Sequence, residues 1–322
     1  VGTPDAGAFW RVVSEHGVNA LFTAPTAFRA IRRVDPEAKE TERYDLSSLR
    51  TLFLAGERAD PATVSWAEQA LDVPVIDHWW QTETGWPIVA NCRGIEALPV
   101  KHGSPTVPVP GFRVAVVDDE GELLPRGTGP EATGNVVISL PLPPGCLPTL
   151  WNDDDGYRHH YLERFPGYYQ TSDAGYIDED GYVWITCRTD DVINVAGHRL
   201  STGTMEEVLA SDPDVAEAAV VGAKDTLKGQ VPLGLVVPSS ASRVPPEELT
   251  ERLVGLVREK VGPVAAMKQV RIVQALPKTR SGKVLRRVVR QMADGEPFTT
   301  PPTIEDASVL DELARMFADR VP

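Results

Sequence analysis

Cysteine is scarce in this sequence: 322 residues contain three, Cys92, Cys146 and Cys187, far apart and with no C-x-x-C pair. That spacing excludes a disulfide framework and the usual zinc-ligand patterns, and it points to a reducing compartment, read here as the cytoplasm. No uninterrupted apolar run is long enough to cross a bilayer, so no membrane partner is expected. Basic charge is also short. Lys and Arg number 32 against 46 Asp and Glu, a formal net charge of −14. A surface of that sign repels nucleic acid and acidic membranes. The first residues, VGTPDAGAFWRVV, have neither an initiating Met nor the basic-then-apolar layout of a signal peptide, so the chain is expected to begin inside a longer one. The remaining composition, 42% hydrophobic and 24% charged, is that of a globular protein with length for one large or two ordinary domains.

The first third alternates helical and strand-like pieces. Residues 5–10 lead into an amphipathic helix that Gly17 can end. Residues 18–23 and 52–55 read as buried strands, and 73–76 begins another. Between them, Asp60-Pro61 offers an N-cap followed by Pro at the first helical position, opening a helix to about Leu71. Strands alternating with helices predict βαβ units and a mainly parallel sheet, with ligands beyond the carboxyl ends of its strands. Gly56-Glu57 and residues 79–83 stand at such ends. From about 103 to 186 the chain is rich in Pro and Gly, with short β-type runs at 112–117 and 135–140. A hairpin over 176–185 carries Asp180-Gly181 at its turn, so this stretch reads as a β-subdomain. After Arg188 the pattern resets, with helices expected at 203–209 and 246–261, strands at 215–221, 233–237 and 270–273, and a surface helix at 307–320. The domain boundary is placed at 189–191.

Four polar stretches can carry chemistry. In DHWWQTETGW, residues 77–86, the hydroxyls of Thr82 and Thr84 suit phosphate oxygens, and Glu83 offers a hard oxygen to Mg²⁺. A strand-end turn with core tryptophans explains the same residues equally well. Asp173, in QTSDAG, is a loop carboxylate able to accept both hydroxyls of a ribose, or simply the Asp of an Asx turn. Arg188 and Arg199 flank Asp190-Asp191 where the chain changes domain, as phosphate or ribose ligands or as a salt-bridged linker. LPKTRSGKVLRR, residues 276–287, is a basic loop leading into a helix within an acidic protein. That inversion of sign draws a carboxylate or polyphosphate, with a solvated basic face as the plain alternative. It is no P-loop: the first Gly of G-x-x-x-x-G-K-[ST] is missing, and no Ser or Thr follows Lys283.

Read in order, these stretches resemble the adenylate-forming superfamily and, within it, the AMP-forming acetyl- and propionyl-CoA synthetases. The resemblance runs through LFTAPTAFRAIR, LFLAGE, VIDHWWQTETGWP, PLPPGCLPTLW, GYYQTSDAGYIDEDGY, RTDDVINVAGHRLSTGTMEEVL and LPKTRSGKVLRR. TETGWP and PLPPGCLPTLW resemble the propionate branch more than the acetate branch. The fold implied is α/β. Residues 1–189 are the C-terminal part of the large AMP-binding domain, with a sheet region of about 1–102 and a β-subdomain of about 103–189. Residues 190–322 are a small, mobile α+β domain. The activity implied joins a short carboxylic acid, propionate or acetate, to CoA through an acyl-adenylate, with ATP, Mg²⁺ and coenzyme A. By the resemblance, Lys283, Thr82 and Glu83 are catalytic, and Glu83 holds the metal. Gly56, Glu57, Arg58, Asp77, Trp79, Gln81, Asp173, Arg188 and Arg199 surround the nucleotide. Ala55, Trp80, Gly85 and Trp86 line the acyl pocket, with the Trp80 indole as the floor that excludes long acids. Ala196, Gly197 and Arg258 face CoA, Asp190 is the hinge, and lysine acylation and deacylation enzymes act on Lys283.

Departures from the family pattern accompany the resemblance. Members carry, upstream of anything in this sequence, a Ser/Thr/Gly-rich phosphate loop ending in Pro-Lys-Gly, so this chain reads as the C-terminal part of a synthetase. Arg58 stands where Pro is usual, Ser172 and Cys187 replace glycines, and His78 takes a small polar residue's place. Ser172 is strained if its site needs a positive φ. The competing expectation is a catalytically inactive remnant, acting at most as a nucleotide- or CoA-binding module.

Overall fold

The computed structural model describes residues 5–127, 129–196, 198–239, 242–265, 267–280 and 282–318. Gly197, singled out above, and Ser281 of the basic loop lie outside the described residues. The chain divides into two compact units, Val1–Thr189 and Asp190–Pro322.

The first unit begins with α1 (Ala8–His16), which Gly17 ends in the left-handed conformation. Strand β1 (Ala20–Thr23), α2 (Pro25–Val34) and β2 (Thr51–Leu54) follow. Helix α3 (Pro61–Leu71) starts as the sequence predicts: the Asp60 carboxylate accepts from the Thr63 amide at 2.8 Å, and Pro61 fills the first helical position. Strands β3 (Val75–Trp80), β4 (Pro87–Ala90) and β5 (Val107–Pro108) complete a sheet ordered β1-β2-β3-β4-β5. Its first three strands are parallel, but β4 and β5 join antiparallel, so the sheet is mixed. Leu52, Leu54 and Val75 bury one face of it against Trp10, Phe28 and Val64 of the three helices. Because side chains alternate along a strand, Phe22, Phe53 and His78 project from the opposite face, where their rings contact one another.

A second, antiparallel sheet is formed by β6 (Val114–Val117), β7 (Gly134–Ser139), β8 (Tyr168–Ile177) and β9 (Val183–Arg188), in that order. Helix α4 (Asp154–Tyr161) comes between β7 and β8. The Asp180-Gly181 turn is wider than a two-residue hairpin. Residues 178–182 form the loop, where the Asp178 carboxylate accepts from the amides of Asp180 and Tyr182, and Lys101 bridges Asp178 and Asp180.

In the second unit, β10 (Ile193–Val195), β11 (His198–Leu200), β12 (Val215–Asp225), β13 (Gly229–Pro238) and β14 (Gln269–Ile272) make one sheet. Alternation along it feeds two cores. Val220 and Val236 face α5 (Thr202–Ala210) and α6 (Pro246–Lys260), while Val221, Leu233 and Leu235 face α7 (Arg286–Ala293) and α8 (Ser308–Ala318). Helix α8 is therefore not a mere surface helix, since Leu310, Leu313 and Phe317 bury one side of it.

Candidate functional site

Three motifs far apart in the sequence converge on Asp173. It follows a bulge of β8 in which Ser172 adopts φ 56°, a left-handed conformation unusual for a residue with a side chain. Two residues on, β9 approaches so closely that a Cβ on Gly175 would lie 2.1 Å from the Trp184 carbonyl oxygen, so only glycine fits there. Asp173 Oδ2 accepts from the Trp79 indole at 3.2 Å and from Gln81 Nε2 at 2.8 Å, while Oδ1 accepts from Arg188 Nη1 at 3.3 Å. Gln81 is fixed in turn: Nε2 also donates to the Thr171 carbonyl at 2.7 Å, and Oε1 accepts from the Tyr169 hydroxyl at 3.1 Å. Burial pushes the Asp173 carboxyl upward, and Arg188 most strongly opposes that shift, followed by Gln81 and Trp79. With three of about four lone-pair sites taken, one remains on Oδ1. A single hydroxyl can bind directly. A second requires Arg188 to shift, and its side chain is 51% exposed.

Beyond β3, Thr82 is exposed and Glu83 half-buried. Glu83 Oε1 accepts from the Tyr161 hydroxyl at 2.9 Å, and its carbonyl accepts from the Leu147 amide at 2.6 Å. Thr84 serves differently from its sequence reading. Its buried hydroxyl donates to the carbonyls of Gln81 and Trp86, each at 2.9 Å, and accepts from the Gln81 amide, closing the turn rather than facing a phosphate. No group of three His, Cys, Asp or Glu side chains able to hold a metal exists among the described residues. Glu83 alone, with Oε2 left over, fits a Mg²⁺ that arrives on phosphates and keeps its waters.

The loop after β2 carries Gly56 at φ 95° and leaves Ala55 buried at its base. Glu57 turns back onto helix α2: its Oε1 accepts from the Thr26 amide at 2.7 Å and pairs with Arg29 at 2.8 Å. Arg29 also reaches Asp60 at 3.1 Å, tying both ends of this loop together. What Glu57 can offer a ligand is its backbone and Oε2, since its contacts with Thr26 and Arg29 all use Oε1. Asp77, on β3, borders a crevice lined by Val64, Asn91, His102 and Ser104. Burial raises its carboxyl to about 7, against the opposing charge of Arg58. Trp80 is half-buried at the end of β3, whereas Gly85 and Trp86 are exposed, Trp86 by 62%.

In the second unit, Asp190, Ala196, Arg199, Arg258 and Lys283 are all exposed. Ala196 has φ 49°, and Arg290 Nη1 donates to the Asp190 carbonyl at 3.1 Å. The Lys283 loop is a small hairpin. The amides of Gly282 and Leu285 donate to the carbonyls of Thr279 and Pro277, and the Lys283 amide donates to the Thr279 hydroxyl. Below it, Arg286 forms a bidentate pair with Glu206, pinning α7 to α5. Tyr161 and Tyr169 were missed from the sequence. Tyr169 could have been found as an inward position of the alternating strand GYYQTSD, but Tyr161 lies in a polar stretch with no periodicity.

A sheet-bearing unit with a buried carboxylate on β8, followed by a separate α+β unit presenting a basic hairpin, is the layout of the adenylate-forming enzymes. The solved structures with the same fold include the anthranilate CoA ligase AuaEII in complex with anthranoyl-AMP, with TM-score 0.76 and 27% identity, covering 90% of this chain and 52% of that one. The amide bond synthetase McbA from Marinactinospora thermotolerans matches with TM-score 0.76 and 28% identity, covering 89% of this chain and 54% of that one. The chain belongs to the AMP-binding enzymes: residues 1–142 match the AMP-binding enzyme family and residues 204–283 the AMP-binding enzyme C-terminal domain. An uncharacterized Pseudomonas aeruginosa protein is 56% identical over 97% of this chain and 49% of its own length. The Mus musculus mitochondrial acyl-CoA synthetase short-chain family member 3 is 48% identical over 100% of this chain and 47% of its own length. The propionate–CoA ligase of Escherichia coli strain K12 is 43% identical over 96% and 49%. The chain thus spans about half the length of the curated relatives it matches.

Proposed function

We propose that this chain contributes the nucleotide end and the mobile domain of an AMP-forming short-chain acyl-CoA synthetase. The observation that carries the reading is the Asp173 cluster, a buried carboxylate pre-oriented by Trp79, Gln81 and Arg188 with one acceptor site left. The relatives named short-chain acyl-CoA synthetase and propionate–CoA ligase support the class of acid. In this reading a ribose hydroxyl binds Asp173 and the adenine lies against the backbone of Gly56, Glu57 and Arg58, with Asp77 near its amino group. Thr82 donates to the α-phosphate, and Glu83 meets the Mg²⁺ that ATP brings. Ala55, Trp80, Gly85 and Trp86 bound the acid.

A carboxylate oxygen of the acid attacks the α-phosphorus, the bond to the β-phosphate oxygen breaks, and pyrophosphate leaves. Lys283 offsets the charge gathering on that phosphorus. After rotation at Asp190, the CoA thiolate attacks the acyl carbonyl and AMP departs. Ala196, Gly197 and Arg258 face CoA in that second state, and Arg199 lies on the nucleotide side. A cytoplasmic location, and acylation of Lys283 as a way to remove its charge, belong to the same reading.

ATP–pyrophosphate exchange by the purified chain, with acetate, propionate and butyrate in parallel, tests it. Acid-dependent exchange identifies the substrate by its ranking. A folded chain that binds AMP without exchange is a binding module whose chemistry needs further residues, and one that binds no AMP refutes the nucleotide site.

A further inference from the structure

Helix α4 contributes no fully buried residue, and Arg158, His159 and His160 on it are exposed. Its covered face consists of two phenols one turn apart, Tyr157 and Tyr161, with ring centroids 5.4 Å from each other. Both lead to Glu83. The Tyr161 hydroxyl donates to Glu83 Oε1 at 2.9 Å. The Tyr157 hydroxyl donates to the Leu147 carbonyl at 3.0 Å, and the Leu147 amide donates to the Glu83 carbonyl at 2.6 Å. One short helix thus grips the main chain and the side chain of the same residue by separate routes. Behind it, Tyr161 stacks on the fully buried Tyr169, at 5.4 Å and 8° between planes, and Tyr169 holds Gln81.

We propose that α4 is a positioning element for Glu83: Tyr161 occupies Oε1 so that Oε2 alone faces the ligand, and Tyr157 keeps the supporting backbone from drifting. The inference rests on the reading of Glu83 as the carboxylate that meets a nucleotide-borne cation. A carboxylate on a strand-end loop otherwise swings among rotamers, and each bound donor removes some of that freedom. The phenol is a suitable clamp because it donates one hydrogen bond from a ring already fixed by stacking on Tyr169.

Mn²⁺–ATP binding by the full 322-residue chain, measured by electron paramagnetic resonance with AMP affinity by calorimetry alongside, tests the proposal. Loss of one hydrogen bond in Tyr161→Phe is expected to weaken Mn²⁺–ATP about fivefold, and Tyr157→Phe about twofold, with AMP within about twofold in both. Equal losses for AMP and Mn²⁺–ATP, or none, overturn the positioning role. A parent chain that binds AMP but not Mn²⁺–ATP instead refutes the cation-facing role of Glu83, and the positioning role falls with it.

Discussion

Asp173 is 7% exposed and receives three donors, whereas Lys283 is exposed and held through its backbone, whose amide and carbonyl both bond Thr279. The first belongs to an interior network spanning β3, β8 and β9. The second sits in a hairpin whose own hydrogen bonds fix the loop, and its ammonium has no partner among the described residues. A group that must recognise one rigid ligand gains from being built in place, because its ordering is complete before the ligand arrives. In the proposed cycle Lys283 is required in only one of two domain positions, and such a group is better left without a local partner, since any such partner would favour the position in which it is idle.

The largest expected effect tests the exposed side of this comparison. Lys283→Ala is expected to lower acid-dependent pyrophosphate exchange by about 10²–10³-fold, the range for removing one pre-organised charge stabiliser. Thiolation of supplied acyl-adenylate is expected to stay within about twofold, because in the proposed cycle Lys283 leaves the nucleotide before that step. Stability should change by less than about 0.5 kcal/mol, as for other exposed positions. Equal loss in both half-reactions would contradict the division of labour.

Next comes Asp77, where the buried side acts on stability through pH. Unfolded, its carboxyl has its ordinary value of 3.8, while in the folded chain burial lifts it to about 7. The folded state therefore holds an extra proton between those values. The stability contributed by that proton is fully present below pH about 4 and is lost as pH rises through 7. Asp77→Asn cannot titrate. Its stability relative to the parent chain should rise across that window by up to about 4 kcal/mol and level off above pH about 8. Urea midpoints at pH 5, 6, 7 and 8 measure it, and parallel curves for the two proteins would show that Arg58 neutralises the carboxylate completely.

Asp173→Ala strips the acceptor from three donors at once. The Trp79 indole and the Gln81 amide lie inside the protein, so the expected cost is about 2–3 kcal/mol; Arg188, half exposed, turns to water at little cost. AMP affinity should fall by at least about tenfold. Asp173→Asn is the sharper variant, since it keeps the shape and loses the charge. If Asn binds AMP as tightly as Asp, the cluster orients the ribose without needing a carboxylate.

Much of this architecture was legible from local chemistry. Gly17 and Asp60-Pro61 marked helix ends because their signals are written in one or two residues. The mixed character of the first sheet was not legible, because βαβ spacing describes β1 to β3 and says nothing of how Pro87–Ala90 turns back beside β3. Helix α4 escaped for lack of an apolar stripe, although Asp153 caps it at the Gly156 amide and its ends carry complementary charge, acidic first and basic last. The candidate residues were found as separate motifs. Their meeting at Asp173 and the diversion of Glu57 depend on contacts about 30 to 90 residues apart that no local pattern records, whereas Thr84 turns to carbonyls two and three residues away.

The smallest effect asks whether the bulge itself is strained. Ser172 holds φ 56° with two long contacts in return, 3.4 Å from Gln170 Nε2 to its hydroxyl and 3.4 Å from the Thr189 hydroxyl to its carbonyl. An L-residue in that region costs about 1 kcal/mol relative to glycine, while glycine loses part of that advantage by widening the unfolded ensemble. Ser172→Gly is therefore expected to stabilise the chain by roughly 0.5 kcal/mol, read as a higher urea midpoint with an unchanged slope. AMP affinity should move less than about twofold, because Asp173 is oriented by donors from β3 and β9 rather than by the residue before it. A tenfold gain in affinity would mean that backbone strain at the bulge, and not the hydrogen-bonded cluster, limits how well the buried carboxylate is presented.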